Sequence, residues 1–156
     1  MKINLSAVLV VFISLIGCAE SPRHTVEIPR HTEADAATWG DRFDDESMCK
    51  LIGEIIHLDV NTLSNENKEA AIHNRNLYIK EIERRKLITK KEWQRIKEKK
   101  ITIGMSQCAL YASWGAPAKE NRSVGRWGVH IQHMYGDSPD WRYVYTENGK
   151  ITSWQD

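Results

Sequence analysis

Apolar positions recur at helical spacing through the first half of the folded body. From about Asp44 to His57, Met48, Leu51, Ile52, Ile55 and Ile56 fall three and four residues apart behind the acids Asp44, Asp45 and Glu46. The spacing predicts an amphipathic helix whose acidic start complements the positive end of the helix dipole. The polar run from Asn61 to Asn65 breaks it. A second helix is expected over about Asn67–Lys86, with Ala71, Ile72, Tyr78, Ile79 and Ile82 on one side and Glu81, Glu83, Arg84 and Arg85 on the surface. A third, short helix follows Thr89, because Thr89 and Glu92 have the spacing of a capping box. It would direct Trp93 and Ile96 to the core.

The period changes after Ile101. Gly104 supplies a bend, Ser106 a helix cap, and Gln107–Trp114 a two-turn helix that carries Cys108, Leu110, Ala112 and Trp114 for packing. Gly115 and Pro117 close it. Asn121–Val124 begins an extended segment. Val129, Ile131, His133 and Tyr135 then alternate with more polar residues, as do Trp141, Tyr143 and Tyr145. Residues 136–140 join these two strands, and Asn148-Gly149 forms a two-residue hairpin into a third. The fold class expected is α+β: N-terminal helices, then a short helix and a three-stranded antiparallel meander with helices packed on one sheet face.

The start of the chain has a different character. Lys2 precedes the apolar run from Ala7 to Ile13 and then Leu15-Ile16-Gly17-Cys18, which is the layout of an export signal and is shorter than the ~20 apolar residues of a membrane span. Leu-Ile-Gly-Cys is similar to the bacterial lipobox. That resemblance implies a signal peptide over residues 1–17, lipid attachment at Cys18 and a membrane as the first partner. Several acyl chains would hold the protein stably where one would not. An ordinary cleaved signal, with Cys18 left over, is the alternative. Ala19 after the cysteine favours the outer membrane by the same resemblance. Residues 18–41 are polar, with Pro22 and Pro29 and no helical period, and read as a flexible tether reaching about 25 Å. A helical region over 42–100 and a helix-plus-sheet unit over 101–156 complete the domain organisation, together about 115 residues and one domain in size.

Charge and candidate chemistry change this picture little. The net charge is +1, with no global excess that would argue for nucleic acid. Between Lys80 and Lys100, however, Lys and Arg outnumber the acids by six, which would attract anionic lipid or an acidic partner unless the run is simply a solvated helix face. Cys49 and Cys108 are either a disulfide or two separate buried thiols. His130 and His133 lie three apart, a ligand spacing on a helix, but in a strand they point to opposite faces. His57 and His73 belong to separate helices. No metal, no cofactor and no catalytic residue is expected, since no nucleophile, zinc or phosphate-loop motif is present. The alternatives to a binding role are an envelope enzyme acting on cell wall, which would have to rest on the loop acids Asp137, Asp140 and Glu147, and a structural lipoprotein without a specific partner. Among the six Trp residues, Trp93 and Trp114 suit the core, whereas Trp127 and Trp154 stand in polar surroundings and would form a partner-binding patch if they lie together.

The C-terminal unit resembles a known family. Ile-Gly-Met-Ser at 103–106, Trp-Gly-Ala-Pro at 114–117, Asn121-Arg122, the Trp/Gly turn, Arg142-Tyr-Val-Tyr and Asn148-Gly-Lys-Ile-Thr are similar to the small bacterial lipoproteins of the SmpA/OmlA type, also called BamE-like. The likeness covers the last 55 residues or so and the lipobox. It implies two helices on a three-stranded antiparallel sheet and an outer-membrane, periplasm-facing location. It also implies a non-catalytic protein-binding or scaffolding role, of the kind that supports insertion of β-barrel proteins, with Arg122, Trp127 and Trp154 as candidate contacts. The helices ahead of Ile101 depart from that pattern.

Overall fold

A computed structural model describes residues 27–155. Helices α1 (Glu33–Ala37), α2 (Trp39–Arg42), α3 (Asp45–His57), α4 (Asn65–Arg84), α5 (Lys90–Lys97) and α6 (Gln107–Trp114) precede strands β1 (Lys119–Gly125), β2 (Gly128–Tyr135), β3 (Arg142–Glu147) and β4 (Lys150–Gln155). The strands form one antiparallel meander in the order β1-β2-β3-β4. The class is α+β, as expected.

Local chemistry accounts for the helix ends. Asp44 and Ser64 accept the amides of Ser47 and Asn67 at the starts of α3 and α4. Thr89 and Glu92 form the reciprocal box at α5. The second oxygen of Glu92 accepts the Ser106 amide at 2.6 Å, so one carboxylate ties the start of α5 to the cap of α6. Ser106 in turn accepts from Ala109.

One core joins helices and sheet. Met48 and Ile52 of α3, Leu77 and Ile82 of α4, Leu110 and Tyr111 of α6, and Tyr135, Val144 and Ile151 of the sheet belong to the same buried cluster. Helix α3 lies against α6 where Gly53 has no side chain: a Cβ there would stand 2.8 Å from the Tyr111 carbonyl oxygen. Gly53→Ala is therefore expected to cost about 1–3 kcal/mol by overpacking. A urea midpoint unchanged in that variant would show that the two helices can part without penalty.

Two expectations are corrected. The sheet has four strands rather than three. Strand β1 reads Lys-Glu-Asn-Arg-Ser-Val-Gly, is mostly exposed and carries no alternation of its own; it forms because every residue pairs with β2 at the sheet edge. Nor do residues 27–41 behave as a tether. The Ile28 amide donates to Asn67 and the His31 amide to Asn74, while Asn74 donates back to the Pro29 carbonyl. Trp39 is 2% exposed and stacks on Tyr78 at 4.2 Å. Arg85 closes the strap, donating to the Trp39 and Phe43 carbonyls and pairing with Asp45 and Glu81. Polar composition hid this segment because its partners are side-chain amides and one guanidinium of α4, not a hydrophobic stripe. For the same reason the buried face of α4 includes Asn74 and Glu81, whereas Ile72 is 39% exposed.

Candidate interaction surface

Two tight hairpins, Arg126-Trp127 between β1 and β2 and Asn148-Gly149 between β3 and β4, project from one end of the sheet. The register requires it, since Gly125 pairs with Gly128 and His130 with Glu147. Asn148 stitches the hairpins together: its side chain accepts the Val129 amide at 3.0 Å, and its own amide donates to the Val129 carbonyl at 2.8 Å. The side chain fits only because Gly128, at φ 112°, has no Cβ; one built there would fall 2.2 Å from Asn148 Oδ1. The segment before α6 joins the same end through Gly104, whose amide donates to the Ile151 carbonyl at 2.8 Å.

This end exposes large apolar groups. Ile103, Val124 and Trp127 are each about three-fifths or more accessible, at 59%, 66% and 65%. Arg122, Arg126 and Lys150 stand at the same end, all exposed and none paired with an acid among the described residues. The acid present, Glu147, faces His130 at 3.6 Å. Of these groups Trp127 stands at a hairpin tip, where Asn148 joins the two turns rigidly.

Arg122 and Val124 pair with Ile131 and Val129 on the face that carries Glu120 and His133, whereas the Trp127 ring lies over Gly125 and beside His130 on the other face, so Arg122 and Trp127 do not fall together. Trp154 stands farther off. It pairs with Val144, which pairs with His133, five residues along β2 from Gly128 and two strands across. Strand geometry puts it on the order of 20 Å from the hairpin end. The condition for a shared patch of Trp127 and Trp154, that they lie together, is not met. Asp137 and Asp140 stand in the exposed β2–β3 turn at the opposite end from Glu147, so the three loop acids do not converge. Cys49 and Cys108 are disulfide-bonded. Cys18 lies outside the described residues. Trp93 and Trp114 pack against the core while partly exposed. His73 bonds the His31 carbonyl, and His57 lies beside Gly115. Among the described residues no group of three metal-ligating side chains occurs.

A second constellation was not foreseen. His133 Nδ1 lies 2.8 Å from Glu120 Oε1, and its Nε2 lies 3.0 Å from the Thr146 hydroxyl. Tyr111 donates to the same carboxylate and receives Gln107, while Lys50 pairs with Glu120 Oε2 at 2.7 Å. Hydroxyl, imidazole and carboxylate stand in relay order, but His133 is 0% and Thr146 1% exposed, so no substrate reaches the hydroxyl. The network serves instead to lock α3 and α6 to the sheet. Burial raises the Glu120 pKa, yet hydrogen bonds from His133, Lys50 and Tyr111 outweigh it and hold the carboxyl at about 2. Burial and the Glu120 carboxylate push the Tyr111 phenol upward, which keeps it a donor. Alternation on β2 predicted that His133 faces opposite to His130, but Glu120 on a polar edge strand gave no sign of being its partner.

The arrangement defines a disulfide-bonded α+β domain, helices followed by a four-stranded antiparallel meander. Comparison with protein-family models, curated proteins and solved structures finds no match.

Proposed function

We propose that this chain is a lipid-anchored protein of the bacterial outer membrane, facing the periplasm, with a non-catalytic role in docking a protein partner during outer-membrane assembly or maintenance. The lipobox-like Leu15–Cys18 and the resemblance of residues 101–156 to the SmpA/OmlA lipoproteins support the setting. So does the disulfide, since such bonds persist in oxidising compartments. The fourth strand and the N-terminal strap are departures from the family pattern.

The observation that carries the docking role is the exposed hairpin end bearing Trp127. Its position suits a tethered protein. Helix α6 starts at the β3–β4 hairpin, where the Gln107 amide meets the Gly149 carbonyl, and the disulfide joins the second turn of α3 to the first turn of α6. Arg85, just past α4, reaches Asp45 at the start of α3, so α4 runs back the other way for about 30 Å. Ile28 is held at its far, first turn. The eight residues after Cys18 that precede the strap span at most about 29 Å. A lipid at Cys18 would thus tether the end of the body opposite Trp127, which leaves the hairpin end free for an acidic partner surface with an apolar centre.

The test is a cross-linked pull-down of the full-length lipoprotein from isolated envelopes, comparing wild type, Trp127→Ala with Arg122→Glu, and Cys18→Ala. Barrel-assembly components should be recovered with the wild type and fall tenfold or more with the hairpin variant, which stays in the membrane fraction. Cys18→Ala should leave that fraction. Unchanged capture by the hairpin variant would sink the docking surface, and an unchanged fractionation of Cys18→Ala would sink the anchor.

A further inference from the structure

A groove of about 670 Å³ opens between the end of α3, the middle of α4 and α5, away from the hairpin end. Its apolar lining is Ile56, Ile79, Ile96 and the ring of Trp93. Ile96 belongs to the core and the other three pack against it while partly exposed, so the groove bottoms on fixed side chains. Lys90, Lys97 and Lys99 line it as well, all exposed and none paired with an acid among the described residues. By contrast, Lys100 and Arg95 just outside it both meet Glu98. Glu83 is the acid of the lining, and Arg75 is engaged with the Ile55 and Leu58 carbonyls that end α3. The indole Nε1 of Trp93 is sealed from solvent and meets no acceptor among the described residues.

We infer that this groove binds a monomeric anionic amphiphile, a single acyl chain carrying a phosphate or carboxylate head, with the chain along Ile56, Ile79 and Ile96 and the head among Lys90, Lys97 and Lys99. Two features favour that class. The volume is that of a small-ligand site, roughly 300–1,000 Å³. The lining divides into an apolar part and a cationic part, which neither a free anion nor a neutral lipid would use in full. This site is independent of the hairpin end, and neither reading depends on the other.

Lysine footprinting on the full chain held in zwitterionic phosphatidylcholine nanodiscs tests the site. The probe is decyl phosphate below its micellar concentration, with decanol, inorganic phosphate and an acidic peptide as comparators. At saturation decyl phosphate is expected to slow acylation of Lys90, Lys97 and Lys99 about tenfold while Lys119, on β1, reacts as before. The double variant Lys97→Glu and Lys99→Glu, both exposed and therefore tolerated by the fold, should raise the concentration needed to protect Lys90 at least tenfold. Equal protection by inorganic phosphate would reduce the site to a free-anion contact and overturn the inference. Protection by the acidic peptide alone, protection only on discs containing anionic lipid, or no protection at all would overturn it too.

Discussion

Replacing Cys49 and Cys108 together with alanine should lower the free energy of unfolding by about 4 kcal/mol and leave the fold unchanged. The bond spans 59 residues, including all of α4 and α5, and in the chain-entropy relation a loop of that length contributes roughly 4 kcal/mol by restricting the unfolded chain. The folded side of the balance changes little. Both cysteines are buried, their β-carbons remain in the alanine variant, and α3 still meets α6 through Gly53 and Tyr111. For a domain of this size the melting temperature should fall by roughly 10 °C or more. Reductant should reproduce the shift in the wild type and do nothing to the variant. Circular dichroism at 20 °C should not distinguish them. A difference below about 1 kcal/mol in urea would mean that the unfolded chain is already compact enough to hold the two segments together.

What the sequence made legible, and what it did not, follows from where each element finds its partners. Helices α3, α5 and α6 carry their own signals: an acidic start and a 3–4 repeat for Asp45–His57, a capping box for Lys90–Lys97, and a Ser cap with a Gly-x-Pro stop for Gln107–Trp114. Strands β2 and β3 alternate, and Asn148-Gly149 supplies positive φ at both turn positions, 49° and 74°. Strand β1 has no such signal, because a polar edge strand takes its conformation from the neighbour it pairs with. The strap over residues 27–43 is likewise specified from outside, by Asn67, Asn74, Tyr78 and Arg85. Trp39, at 2% exposed, is more deeply buried than Trp93 or Trp114, which were better placed in the pattern to be core. Of the candidate surface, the exposure of Trp127 in a polar turn was legible. The distance of Trp154 from it was not, because it depends on the bulge at Tyr145/Thr146 and on a four-strand register. The groove under Trp93 shows in the sequence only as the cationic excess of residues 80–100. Its apolar lining is assembled from α3, α4 and α5, and no local pattern encodes that meeting.

Glu120→Ala should cost about 3 kcal/mol at pH 7 and flatten the acid limb of the stability curve. Removing the carboxylate leaves His133 Nδ1, the Tyr111 hydroxyl and Lys50 without the acceptor they share. Truncating one side of a buried charged pair costs about 3–5 kcal/mol, and Glu120, 20% exposed, belongs at the lower end. The sign with pH is fixed by the direction of the shift. Folding lowers this carboxyl from 4.5 to about 2, so the unfolded chain binds the proton more tightly. The contribution is therefore complete above about pH 4.5 and is lost as pH falls from there through 2. At 1.36 kcal/mol per pH unit the window amounts to roughly 3 kcal/mol, in agreement with the truncation cost. Glu81 behaves alike, lowered to about 2 chiefly by its hydrogen bond from Arg84, so the variant should retain that part of the acid response. Urea titrations at pH 7, 5, 4 and 3 should thus show wild type and Glu120→Ala converging as pH falls, with residual curvature from Glu81 in both. A gap that stayed constant from pH 7 to pH 3 would mean that Glu120 acts by shape rather than by charge. The relay-like chain of Thr146, His133 and Glu120 would then owe its stability to packing alone.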